Sequence, residues 1–171
     1  MSFLTRLLGM ERDPREELRP LWHRAVELAR RPDFYAECGV EDSVAGRFDM
    51  VCAVTACVMV RLEASNLARE SALFAELFVE DMEAQMRELG VNDVVVGKRM
   101  GKVMSALGGR LGSYRPALNT RDAEKLVGAM ERNVSFNEDG SSACAAGKLL
   151  TLMDDLSALS DEQLLAAEVA A

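Results

Sequence analysis

The sequence has little of what most catalytic and metal chemistry requires. Its 171 residues include one histidine, one tryptophan, four prolines and four cysteines, and aromatic residues make up only 5% of the chain. With His23 as the sole imidazole, neither the paired Glu-x-x-His motifs of di-metal helical bundles nor a Ser or Cys nucleophile with its base can be assembled. The cysteines, Cys38, Cys52, Cys57 and Cys144, include no C-x-x-C pair, and three lie among apolar neighbours, so all four are expected to be reduced thiols. Long apolar runs are missing as well. The most apolar stretch, Met50 to Val60, is closed by Asp49 and Arg61 and falls far short of the about 20 residues of a membrane span. The opening Met1-Ser-Phe-Leu-Thr-Arg-Leu-Leu-Gly is too short in apolar residues for a secretory signal, which leads to the expectation of a cytoplasmic protein. No segment alternates with period two, which argues against strands.

What remains is an acidic, globular composition. The chain is 49% hydrophobic and 28% charged, with 20 Lys and Arg against 28 Asp and Glu and a net charge of −8. Disorder is excluded by that balance, and so is a wholly basic nucleic-acid coat, so no DNA partner is expected. The 3.6-residue periodicities predict an all-α fold, a single compact bundle of about six to eight helices. Residues 1–13 read as an N-terminal segment and 14–171 as one helical domain. Pro14 fits the first turn of a helix running to about Arg31, stopped by Pro32. From Gly46 to about Ser65 apolar residues point in every direction, as in a helix surrounded by others. Further helices are expected from Arg69 to Leu89 with Gly90 as C-cap, and from Val94 to Leu118 behind an Asn92-Asp93 cap. Others follow from Asn119 to Asn133 and from Ala143 to Leu156, with a last one after the capping box Ser160-Asp-Glu-Gln163.

The segment Val94 to Leu118 carries the most unusual pattern. On a helical wheel Val96, Met100, Val103, Met104, Leu107 and Leu111 form a core arc, while Lys98, Arg99, Lys102 and Arg110 gather in an arc of about 120° on the other side. Those four and Arg115 are the segment's only charges, which leaves −13 on the rest of the chain. Such a one-sign stripe can be an ordinary solvated face, or it can meet RNA, anionic lipid or an acidic partner. Gly97, Gly101, Gly108 and Gly112 project along a third line, and each costs a helix about 1 kcal/mol relative to alanine. Packing inside the monomer is the simpler explanation and a groove for a partner helix the sharper one; Gly108-Gly109 can also mark a break.

On the preceding helix Phe74, Leu77, Phe78, Met82, Met86 and Leu89 share a face, with Glu76, Glu80, Glu83 and Arg87 opposite. The three glutamates read as a solvated acidic face rather than half a metal site. Asp81 falls among the apolar residues and needs a donor, for which Arg47, Lys98 and Arg99 are the candidates, as a structural ion pair or client contact. Nucleotide motifs fail. Gly97-Lys-Arg-Met-Gly-Lys102 has three residues where a P-loop needs four, and Val103 replaces its Ser or Thr. The reading is a protein without catalysis or cofactor.

Several ordered blocks resemble the ubiquinol-cytochrome c chaperone family. They are Gly46-Arg-Phe-Asp-Met50; Leu77-Phe-Val-Glu-Asp-Met82 continuing through Arg87-Glu-Leu-Gly-Val91 to Asp93; Val96-Gly-Lys-Arg-Met100; Gly109-Arg110 with Tyr114; and Ala129-Met-Glu-Arg-Asn-Val134. The resemblance implies an assembly chaperone for cytochrome b in the bc1 complex of the respiratory chain, holding apolar client segments. Lys98, Arg99, Lys102, Arg110 and Tyr114 then become the partner-binding candidates. Met82, Met86, Met100 and Met104, flexible and polarizable, are candidates for a client groove, with core filling as the alternative. Expected partners are cytochrome b or other bc1 components, with the ribosome and the cytoplasmic face of the inner membrane as further contacts; Phe3, Leu4, Leu7 and Leu8 with Arg6 can add an interfacial touch. A ribosome- or RNA-associated adaptor, independent of respiratory assembly, is the second reading.

Overall fold

The computed structural model describes residues 13–88, 90 and 93–170. The interfacial residues Phe3, Leu4, Arg6, Leu7 and Leu8 lie outside that range, as do Leu89, Val91 and Asn92.

The chain builds eight α-helices among the described residues, preceded by a 3-10 turn at Pro14–Leu18: α1 Arg19–Ala29, α2 Pro32–Ala36, α3 Val44–Ala64, α4 Ala68–Glu88, α5 Asp93–Thr120, α6 Ala123–Asn133, α7 Ser142–Ala158 and α8 Asp161–Leu165. The all-α expectation holds. Its finer error is at the start, where a single helix from Pro14 to Arg31 was expected. Pro20 has no N–H to give and its ring would meet the carbonyl four residues back, so the turn and α1 are separate pieces and Pro20 sits in the first turn of α1. Pro32 likewise opens α2 rather than only stopping α1.

α3 is the central element. Fifteen of its residues, from Gly46 to Leu62, are buried, and it packs against α1, α4, α5 and α7. Ser43 caps it by accepting from the Gly46 amide at 3.2 Å. Gly46 has to be glycine, because a Cβ there would fall 2.0 Å from the Glu41 carbonyl oxygen. Around α3 the core is closed by Trp22 of α1 against Phe74 and Phe78 of α4, with ring centroids 5.6 and 5.9 Å apart, and by Leu149, Leu152 and Leu156 of α7. The Ser160–Gln163 capping box opens α8 as expected. Among the described residues no helix is long and apolar enough to cross a membrane.

Two connections meet side by side. The loop after α2 and the loop after α6 run antiparallel, bridged at Val40 and Phe136, with the Glu41 amide donating to Ser135 O, Asn137 to Gly39 O, and Ser141 to Cys38 O at 2.8–2.9 Å. Gly39, at φ +70°, lies so close to Gly140 that a Cβ would sit 2.6 Å from its Cα. This pairing brings the Cα atoms of Cys38 and Cys144 to 5.2 Å, and the two form a disulfide. The expectation of four reduced thiols is corrected here. It holds for Cys52 and Cys57, whose thiols are pushed up to about 12 by burial and stay protonated at neutral pH.

Candidate functional site

α5 is continuous from Asp93 to Thr120. Neither Gly108-Gly109 nor the internal Pro116 breaks it. Its inner face, Val96, Met100, Leu107, Tyr114 and Leu118, is buried against α3, with Val103 and Leu111 half-buried at the edges. The opposite face is a different surface. Lys98, Arg99 and Lys102 are exposed, and a Cβ built on Gly97, Gly101, Gly108, Gly109 or Gly112 would touch nothing within 4 Å. Among the described residues nothing packs on the glycine line, where packing within the monomer was the simpler expectation.

The three cations are also chemically idle. Among the described residues every lysine and arginine except Arg30, Lys98, Arg99, Lys102 and Arg132 lies within 4.0 Å of a carboxylate. Three of the five without a partner thus fall within two turns of one helix. The charge left unpaired among the described residues is thus concentrated on this one stretch of an otherwise acidic chain.

Arg110 does not belong to that face. Its Nη2 donates to Asp49 Oδ1 at 2.5 Å, and its guanidinium carbon stands 5.3 Å from the centre of the Phe48 ring. Asp49, with a side chain only 6% exposed, also accepts from the amide and hydroxyl of Ser135 at 3.1 Å each. The wheel placed Arg110 with the lysines because it considers one helix alone; at the Arg110 level the flank of α5 has α3 beside it and the post-α6 loop above. Tyr114, taken from a resembling block, departs from that face too: it is fully buried, and desolvation pushes its phenol well above the ordinary range. Both are residues that hold α5 in place.

The methionines do not gather into one groove. Met82 and Met100 are core residues, Met86 packs half-buried against the core, and only Met104 is exposed, at 42%. Met104 was expected in the core arc, but it lies at the arc's margin and is exposed. The other exposed large apolar residue among those described is Val44, in the first turn of α3.

The expected ion pair of Asp81 does not form. Arg47 finds Asp42 on its own N-terminal loop at 2.6 Å, and Lys98 and Arg99 point to solvent. Asp81 accepts instead from Gln85 Nε2 at 3.0 Å, and burial raises its carboxyl above the usual range. Of the acidic face on α4, Glu80 binds Arg15 and Arg19, both at 2.8 Å, and Glu83 binds Arg87 at 2.8 Å. No cluster of metal-ligating side chains occurs among the described residues, and His23 is exposed.

Two networks escaped the sequence reading. The Asp49–Arg110–Ser135 cluster could have been noticed, since Asp49 and Arg110 stand in two of the resembling blocks and Ser135 directly follows a third. Buried Arg61 leaves no such trace: its Nε donates to Leu156 O at 2.9 Å and its Nη2 to Leu159 O at 2.7 Å and Asp161 Oδ1 at 3.0 Å, fastening the end of α3 to the α7–α8 junction.

With this geometry in place, comparison with known proteins gives an agreeing answer. The sequence pattern of the ubiquinol-cytochrome C chaperone family matches residues 36–171. Among solved structures the chain is similar to the crystal structure of the Cbp3 homolog from Brucella abortus, at 31% identity and a TM-score of 0.74 over 91% of this chain and 88% of that one. No curated protein matches. The matched region takes in the disulfide, α3, the unpaired flank of α5 and the Asp49–Arg110 cluster, and the chain belongs to the ubiquinol-cytochrome C chaperone family.

Proposed function

We propose that the protein is a non-catalytic assembly chaperone for cytochrome b and the bc1 complex, binding apolar client segments and docking through the cationic flank of α5. Family membership supports the class of activity, and the observation that carries the docking reading is the clustering on one flank of Lys98, Arg99 and Lys102, three of the five cations without a carboxylate partner among the described residues. A chaperone of this kind breaks and forms no covalent bond. The buried, protonated thiols of Cys52 and Cys57 fit that assignment, since neither serves as a nucleophile. Val44, a large apolar side chain left in water in the first turn of α3, is a starting point for client contact, and the cytoplasmic face of the inner membrane is where a newly inserted client would be met.

Deletion of the gene should lower the amount of assembled bc1 complex, and crosslinking in cells should recover cytochrome b with the full-length chain. Normal complex levels in the deletion strain would reject the proposal. Cosedimentation with ribosomes that survives charge reversal at Lys98, Arg99 and Lys102 would separate any ribosome contact from this flank.

A further inference from the structure

The outer face of α5 has three parallel parts. Taken around the helix at about 100° per residue, Met104 is followed by the row Gly97, Gly108, Gly101 and Gly112, and that row by Lys98 and Lys102, with Arg99 beyond them. Along the axis the glycines extend about 22 Å, or four turns. An open floor at backbone level thus runs between an exposed apolar side chain and a row of cations without partners.

We infer that this face seats a helix of a second protein, an acidic amphipathic helix whose carboxylates meet Lys98, Arg99 and Lys102 and whose apolar edge meets Met104. Charge complementarity selects an anionic occupant, and the floor selects among anions. A phosphate backbone or a lipid headgroup is reached by long lysine and arginine side chains and gains nothing from bare glycines, whereas a helix uses them to bring its own backbone close. The wider field points the same way. A membrane plane or a long RNA would also face the acidic remainder of this −8 chain, while a single helix senses charges only within the screening length of about 8 Å. The occupant is therefore distinct from the apolar client of the chaperone reading, on which this inference rests for its docking face.

The test places a photoreactive amino acid at Ser105, an exposed position between floor and cations, in the full-length chain in cells. The expected adduct is a peptide from a helical, acidic segment of another protein. Its yield should fall at least tenfold in the K98E/R99E/K102E variant and severalfold in Gly101→Leu, with helicity retained in both. Gly101→Ala with Gly108→Ala should raise Tm while lowering the yield, which a merely structural role for these glycines would not produce. Lipid or RNA adducts, the absence of a protein adduct, or an adduct indifferent to charge reversal would each overturn the inference. The bc1 level of the deletion strain is read separately: if it falls while the Ser105 adduct is not an acidic helix, the inference fails and the chaperone reading stands.

Discussion

Two of the long helices of the molecule, α3 and α5, are built on opposite principles. α3 holds fifteen buried residues in 21, has one glycine, and spends its charged side chains on internal work, Asp49 on Arg110 and Arg61 on the α7–α8 carbonyls. α5 is longer, at 28 residues, yet it exposes five glycines and three unpaired cations on one face. Only its inner face and its second half, from Arg110 onward, are tied into the fold. The contrast teaches that the outer surface of α5 is not explained by stability. Its glycines weaken the helix and meet none of the described residues.

The largest effect should come from the point where the two helices are joined. Asp49→Ala strands a guanidinium that is only 19% exposed, and the loss expected for breaking a buried pair is about 3–5 kcal/mol, measured by urea unfolding. Lys98→Ala, on the same helix as Arg110 but on its open face, should stay within about 0.5 kcal/mol of the parent; a comparable loss there would break the comparison. Next in size is the tie between the two antiparallel loops. Because Cys38 and Cys144 are 106 positions apart, replacing both with serine should cost about 2–5 kcal/mol, and the parent protein should fall to the same stability in a reductant. A smaller effect of opposite sign is expected on α5, where Gly101→Ala and Gly108→Ala should each stabilise by about 1 kcal/mol, visible as a rise in Tm.

The smallest effect tests Asp81 of α4 through pH. Its carboxyl is raised in the folded state because burial disfavours the charged form, so the folded protein holds this proton more tightly than the unfolded chain does. Its contribution is therefore favourable at low pH and is lost as pH rises through the carboxylate range. Asp81→Asn should raise Tm at pH 7 and leave it unchanged near pH 3. A loss of stability at pH 7 would mean that Asp81 has a cationic partner after all.

What could be read from sequence follows the range of the interactions involved. The all-round apolar character of α3, the amphipathic face of α4 and the Ser160–Gln163 box are set by neighbours within a turn or two, and each was legible. The cation face of α5 was legible in kind but wrong by one member, because Arg110 departs from it only through Asp49, 61 positions away. Tyr114 was chosen through a family block, and such a block does not distinguish a buried support from a contact residue. Met104 failed because it stands at the margin of its arc, where a helical wheel gives direction but not burial. Asp81 was correctly identified as anomalous, but its expected partner Arg47 was satisfied more cheaply by Asp42, five residues back on its own chain. The disulfide had no local signature at all.

That disulfide also sets an order of events during synthesis. With 106 positions between the two cysteines and a translation rate of about 5–20 residues per second, Cys38 leaves the ribosome about 5–20 s before its partner exists. During that interval the thiols available to it are Cys52 and Cys57, only a short distance downstream. Both lie on α3 and are fully withdrawn from water once that helix is enclosed. Because α7, which carries Cys144, is itself one of the helices that enclose α3, the shielding of the two competing thiols and the native pair become possible only at the same stage of synthesis.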